Sequence, residues 1–90
     1  MFVAVVLDIA TEDHKTEVYN LLKVYGYKEI MKDVFESPGV NENSLLRLKR
    51  DLDRATDSYD KIRFYQYPFE DTLTISFLSG NRWRKTVLKL

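Results

Sequence analysis

Apolar residues run almost without a break through positions 2–9, and the polar stretch Thr11-Glu12-Asp13 follows. A valine-rich run of this kind predicts a central strand of the parallel type, buried on both faces. Thr11 then offers an N-cap oxygen, and Glu12 and Asp13 are first-turn acids for a helix. That helix gathers Val18, Leu21, Leu22 and Tyr25 on one stripe, with Gly26 where a left-handed C-cap falls. Residues 27–37 favour extended structure but do not alternate cleanly. They predict two short strands about a bulge or tight turn near Lys32-Asp33, or one bent strand. Pro38-Gly39 closes the segment. Asn41 is the expected N-cap of a second helix reaching Ala55. Its apolar stripe is Leu45, Leu48, Leu52 and Ala55, and its wet face is Arg47, Lys49, Arg50, Asp51, Asp53 and Arg54.

Residues 61–67 alternate, with Ile62, Phe64 and Gln66 opposing Arg63, Tyr65 and Tyr67, and Pro68 ends the strand. The order β-α-β-β-α-β is the split βαβ unit of the ferredoxin-like α+β fold, with both helices on one face of the sheet. Residues 1–68 make that core domain. Residues 69–90 exceed what it needs. They alternate through Leu73, Ile75 and Phe77, turn at Ser79-Gly80-Asn81, and resume as a short strand from Trp83. A lone hairpin is marginal in water. This extension must therefore continue its own sheet or a partner's, and packing on a partner subunit in a homodimer is the economical solution.

Composition changes this picture little, and the placement of charge changes it more. Fourteen basic and fourteen acidic side chains cancel, which argues against nucleic-acid binding through bulk charge. Residues 1–45 hold eight acids and four lysines, whereas residues 46–90 hold ten bases and six acids. The final ten residues carry Arg82, Arg84, Lys85 and Lys89 and no acid, so a local basic strip is compatible with a neutral chain. Cysteine is absent, which removes disulfides, thiolate metal sites and a cysteine nucleophile. The first apolar run lacks a basic leader and stops at Asp8, so no membrane segment is expected and a cytoplasmic location is the default.

Asp8 is the foremost candidate for chemistry. A carboxylate closing a buried strand just before a helix lies at a sheet rim where ligands commonly bind. Two such aspartates about a two-fold axis could hold one divalent cation, which could activate water for phosphodiester hydrolysis. A plain structural role, capping the first helix or pairing with a lysine, competes with this. His14, the single histidine, is expected to face solvent; with no second histidine there is no basis for a hydrolase triad. The aromatic residues do not form the paired stacking motifs of an RNA-recognition sheet. The glycines are isolated, so no phosphate loop is present.

Taken in order, FVAVVLDIATED, LLKVYGY, KDVFES, NENSLLRLKRDL and KIRFYQYP resemble the second CRISPR-associated protein, the Cas-two family, over residues 2–68. The resemblance implies a homodimer that bridges CRISPR integrase dimers during spacer acquisition and lies against double-stranded DNA. It also implies a magnesium- or manganese-dependent endonuclease acting on RNA or double-stranded DNA. The family's metal-binding and catalytic aspartate corresponds to Asp8. Val34, Phe35 and Glu36 occupy a segment expected to support the sheet. Leu7 and Asp33 depart from the tyrosine and serine usual in the family. The start of the first helix, usually arginine-rich, has Lys15 as its only firm cation. Phosphate contacts are therefore expected from Lys15, Arg47, Arg50, Arg54, Arg82, Arg84 and Lys85. A stand-alone toxin ribonuclease of the VapD type is the alternative function.

Overall fold

A computed structural model describes residues 1–90. Its elements are β1 (Phe2–Asp8), α1 (Glu12–Val24), β2 (Lys28–Met31), β3 (Val34–Ser37), α2 (Glu42–Ala55), β4 (Lys61–Tyr67), β5 (Thr72–Ser79) and β6 (Arg82–Lys89). They form one six-stranded sheet in the order β2-β3-β1-β4-β5-β6, with every neighbouring pair antiparallel. The first four strands and two helices are the ferredoxin-like core, and β1 and β4 lie side by side at the middle of the sheet.

The local signals are realised one by one. Thr11 accepts a hydrogen bond from the His14 amide at 3.2 Å and caps α1. At the other end Gly26 has φ +89°, its amide donates to Lys23, and the Tyr27 amide donates to Leu22. This is a Schellman closure, with buried Tyr27 continuing from buried Leu22. Asn41 caps α2 through the Ser44 amide at 2.8 Å. Lys32-Asp33 is the tight turn between β2 and β3, with Asp33 at φ +64°. The Tyr19 hydroxyl donates to Asp33 Oδ1 at 2.6 Å and accepts from the Asp33 amide at 3.1 Å, which ties this turn to α1. Gly80 and Asn81, both near φ +60°, form the two-residue turn that suits the twist of the β5–β6 hairpin.

Val18, Leu22, Leu45, Leu48, Leu52 and Ala55 from the helices meet Val3, Val5, Leu7, Phe35, Ile62, Phe64 and Leu78 from the sheet in one core. β1 departs from the expected parallel-type strand buried on both faces. Val3, Val5 and Leu7 are buried, but Phe2 and Ala4 are only partly covered and Val6 and Asp8 are exposed. The reason is topological. Both helices cross on one side, so the opposite side of every strand has no layer of this chain over it. The split βαβ order likewise sets β3 and β4, which both run against β1, at its two edges.

The C-terminal extension continues the sheet of its own chain, with β5 paired to β4 from Lys61↔Ser79 to Gln66↔Thr74. Thr74, Ser76 and Leu78 of β5 are buried on the helix side. Gly26→Ala forces a β-carbon into a left-handed conformation. It is expected to lower stability by about 1 kcal/mol in urea unfolding without changing the far-ultraviolet spectrum.

Candidate functional site

Asp8 ends β1 on the uncovered face and stands opposite Lys61 in the β1–β4 register. It is exposed. With Val6, Leu7, Lys61, Arg63 and Phe77 it lines a shallow hollow of about 220 Å³. Arg63 lies between the rings of Tyr65 and Phe77, 5.4 and 5.5 Å from their centroids, and its Nε hydrogen is buried without an acceptor. The hollow thus combines one carboxylate, a lysine and an aromatic-stacked arginine. A phosphate could be held here by the two cations beside the carboxylate.

The loop that leaves Asp8 is pinned from below. Asp60, fully buried, accepts the Ala10 amide through Oδ1 at 2.8 Å and the Asp57 amide through Oδ2 at 3.0 Å. His14 Nδ1 lies 2.8 Å from the same Oδ2. Burial alone would raise the Asp60 pKa, but these two amides and His14 outweigh it and hold the carboxyl below its ordinary range. The hydrogen bond to Asp60 in turn raises His14, more than desolvation lowers it. His14 is therefore a half-buried structural partner, and the expectation of a solvent-facing side chain is corrected.

Asp57 Oδ2 lies 4.0 Å from His14 Nδ1. Together His14, Asp57 and Asp60 offer three donor atoms within 4.8 Å of one another, a group that could hold a metal ion. Asp8 is not part of this group. Its oxygens are the harder donors for magnesium, but one chain supplies a single carboxylate there, beside Lys61. The His/Asp/Asp group has a nitrogen donor, and Asp60 already accepts three N–H groups when His14 carries its proton on Nδ1. Occupation by a metal would displace that proton.

The expected phosphate-contacting cations are dispersed by the fold. Lys15 is engaged with Asp33 at 3.4 Å and lies over the Tyr19 ring. Arg47 and Arg50 come together on the exposed side of α2, lining one hollow with Asn43 and Leu46. Arg54 is also exposed. Register separates the tail group: Arg82 and Arg84 lie opposite Ser79 and Phe77 on the uncovered face, whereas Lys85 lies opposite Ser76 on the helix side. Lys61, Arg63 and Asp60 were not singled out from the sequence. Asp60 resembles an ordinary loop acid until the fold brings Ala10 and His14 to it, while the alternation of KIRFYQY already put Arg63 opposite the core.

His14 and Asp60 make a pH-dependent contribution to stability. The raised His14 value contributes fully below 6.5 and is lost as pH rises through its folded value; the lowered Asp60 value contributes fully above 3.8 and is lost as pH falls through its own. Denaturant unfolding should therefore show the largest loss in His14→Gln between pH 3.8 and 6.5, with the difference between wild type and variant narrowing as pH rises through the folded His14 value.

No curated protein and no solved structure matches the chain. The family model described as CRISPR associated protein Cas2 matches residues 1–86 of the 90. That match spans both helices and all but the end of β6, so the rim of Asp8 and the C-terminal strands fall within one family pattern. The chain belongs to the CRISPR-associated Cas2 family.

Proposed function

We propose that this Cas2 chain acts as a homodimeric subunit of CRISPR adaptation, bridging integrase dimers and holding duplex DNA on its cationic surfaces. The observation that carries this reading is the uncovered sheet face. Ala4, Val6, Tyr65, Ile75 and Phe77 share it, and Val6 is 38% exposed in the middle of the sheet. An apolar face of this kind calls for a second layer, and a second copy supplies one with matched chemistry. Exchange of the β5–β6 hairpin between copies would reproduce the β4–β5 pairing in trans with the same hydrogen bonds.

Duplex binding rests on Arg47, Arg50 and Arg54 of α2 and on Arg82 and Arg84 of β6, which are exposed and form no ion pair within their own chain. Such contacts neutralise phosphates without reading bases. The subunit would be catalytic as well if Asp8 from each copy held one magnesium or manganese ion, which would supply an activated water for phosphodiester hydrolysis. Lys61 and Arg63 would then orient the phosphate beside that carboxylate.

Light scattering of the chain with its integrase and a short forked duplex tests the bridging role. A dimer that joins a larger particle is expected, and a dimer that ignores the integrase would overturn the reading. Growth arrest with loss of RNA on expression would point instead to the toxin ribonuclease. Duplex affinity should fall steeply with salt, and the double substitution Arg47→Ala, Arg50→Ala should reduce the log–log slope by about 2. Asp8→Asn should abolish metal-dependent cleavage and leave dimerisation and duplex affinity unchanged. Cleavage that survives it would exclude Asp8 as the metal ligand.

A further inference from the structure

Lys49 lies in the polar stretch of α2, and the sequence places it on the wet face. The structure turns it inward over the sheet. Its Nζ donates to Gln66 Oε1 at 3.0 Å and Ser76 Oγ at 2.9 Å. Ser76 passes its own hydroxyl hydrogen to Gln66 Oε1 at 2.7 Å, so this small network is closed and oriented. The ammonium also lies 5.5 Å from the Phe64 ring centroid and 5.4 Å from that of Trp83. It touches strands β4, β5 and β6 at once, yet no carboxylate lies within ion-pair distance. A half-buried cation with no counterion is an uncompensated cost. Burial, with Lys85 nearby, lowers its pKa to about 8.

Beside this ammonium opens a cavity of about 280 Å³ lined by Leu46, Lys49, Ser76, Trp83, Arg84 and Lys85. Arg84 borders it along the strand, since register directs its side chain to the uncovered face opposite Phe77. Lys49 and Lys85 are thus its two charged side chains, and Trp83 and Leu46 are its apolar walls. A smaller hollow of about 130 Å³ adjoins it through Leu46, Lys49 and Lys85, and is completed by Met1, Glu42, Leu45 and Gln66. Glu42, in the first turn of α2, is the only acid around the two spaces, and the Met1 ammonium, which donates to the Val40 carbonyl at 2.7 Å, lines the same smaller hollow.

We propose that the cavity between α2 and β6 binds a small phosphorylated ligand, its phosphate bridging Lys49 and Lys85 and its organic part resting on Trp83 and Leu46. Two ammonium groups beside a space with no acid of its own match a doubly charged phosphate monoester better than a single carboxylate. Lys49 spends two of its three hydrogens within the protein and keeps one for the ligand. The volume suits a phosphate with a modest organic group, at the small end of ligand pockets. This site is separate from the Asp8 hollow and shares no residue with it.

Trp83 is the single tryptophan, so its emission reports on this cavity alone. The full chain is titrated with inorganic phosphate and with adenosine monophosphate, chloride holding ionic strength constant. Saturable changes with both are expected, tighter for the nucleotide, whose organic part meets Trp83. Lys85→Gln, at an exposed strand position, should retain the fold and weaken binding about tenfold, as expected for losing one charge-assisted hydrogen bond. Lys49→Met should weaken it at least as much. No saturable change, or unaltered affinity in Lys85→Gln, would overturn the proposal. A response to a DNA duplex but to neither small probe would also overturn it and make the cavity part of a duplex-binding surface.

Discussion

The buried carboxylate of Asp60 receives hydrogen bonds from the Ala10 amide, the Asp57 amide and His14, and so joins three separate segments at one rim of the sheet. Ala10 follows β1, His14 lies in the first turn of α1, and Asp57 precedes β4. Without that acceptor the loop after Asp8 would leave a backbone donor unsatisfied in a partly buried place. Desolvation opposes the charge, and the surrounding donors retain it. The position of Asp8 therefore depends on a residue some fifty positions later in the chain.

The same architecture makes the two faces of the sheet chemically unlike. On the helix side, alternation along β1, β4 and β5 buries Val3, Val5, Leu7, Ile62, Phe64 and Leu78. Toward β5 and β6 that layer becomes polar, with Gln66, Thr74 and Ser76 buried and Lys49 reaching them from α2. On the other side the central positions are aliphatic or aromatic, and the cations Arg82 and Arg84 mark the start of β6. A second copy over this face and a ligand under β6 would therefore use different sides of the same strands. The two associations do not compete for residues.

Charge shows how little a net count reveals. The basic excess of the second half is one feature in sequence but four in space: the exposed side of α2, the uncovered face of β6, the pair Lys61 and Arg63 beside Asp8, and Lys49 with Lys85 at the cavity under β6. Lys15, the only firm cation at the start of α1, is committed to Asp33. That aspartate forms the turn that Tyr19 and Lys15 hold against α1.

The sequence by itself determined the elements, because each is specified by short-range chemistry. Thr11 and Asn41 cap the helices, Gly26 closes α1 in a conformation that favours glycine, and the stripes of α1 and α2 predicted their buried faces. It also made Asp8 a candidate, from its place at the end of an apolar run. Tertiary structure decided what depends on distant partners. β1 was not buried on both sides, since both helices lie on one side; His14 met a buried acid; Lys49 left the wet face; and β5 and β6 extended their own sheet. Hydrophobic periodicity records which side of an element is covered by the core. It carries no record of which remote donor or acceptor awaits a polar side chain, because those pairings exist only once the strands are in register.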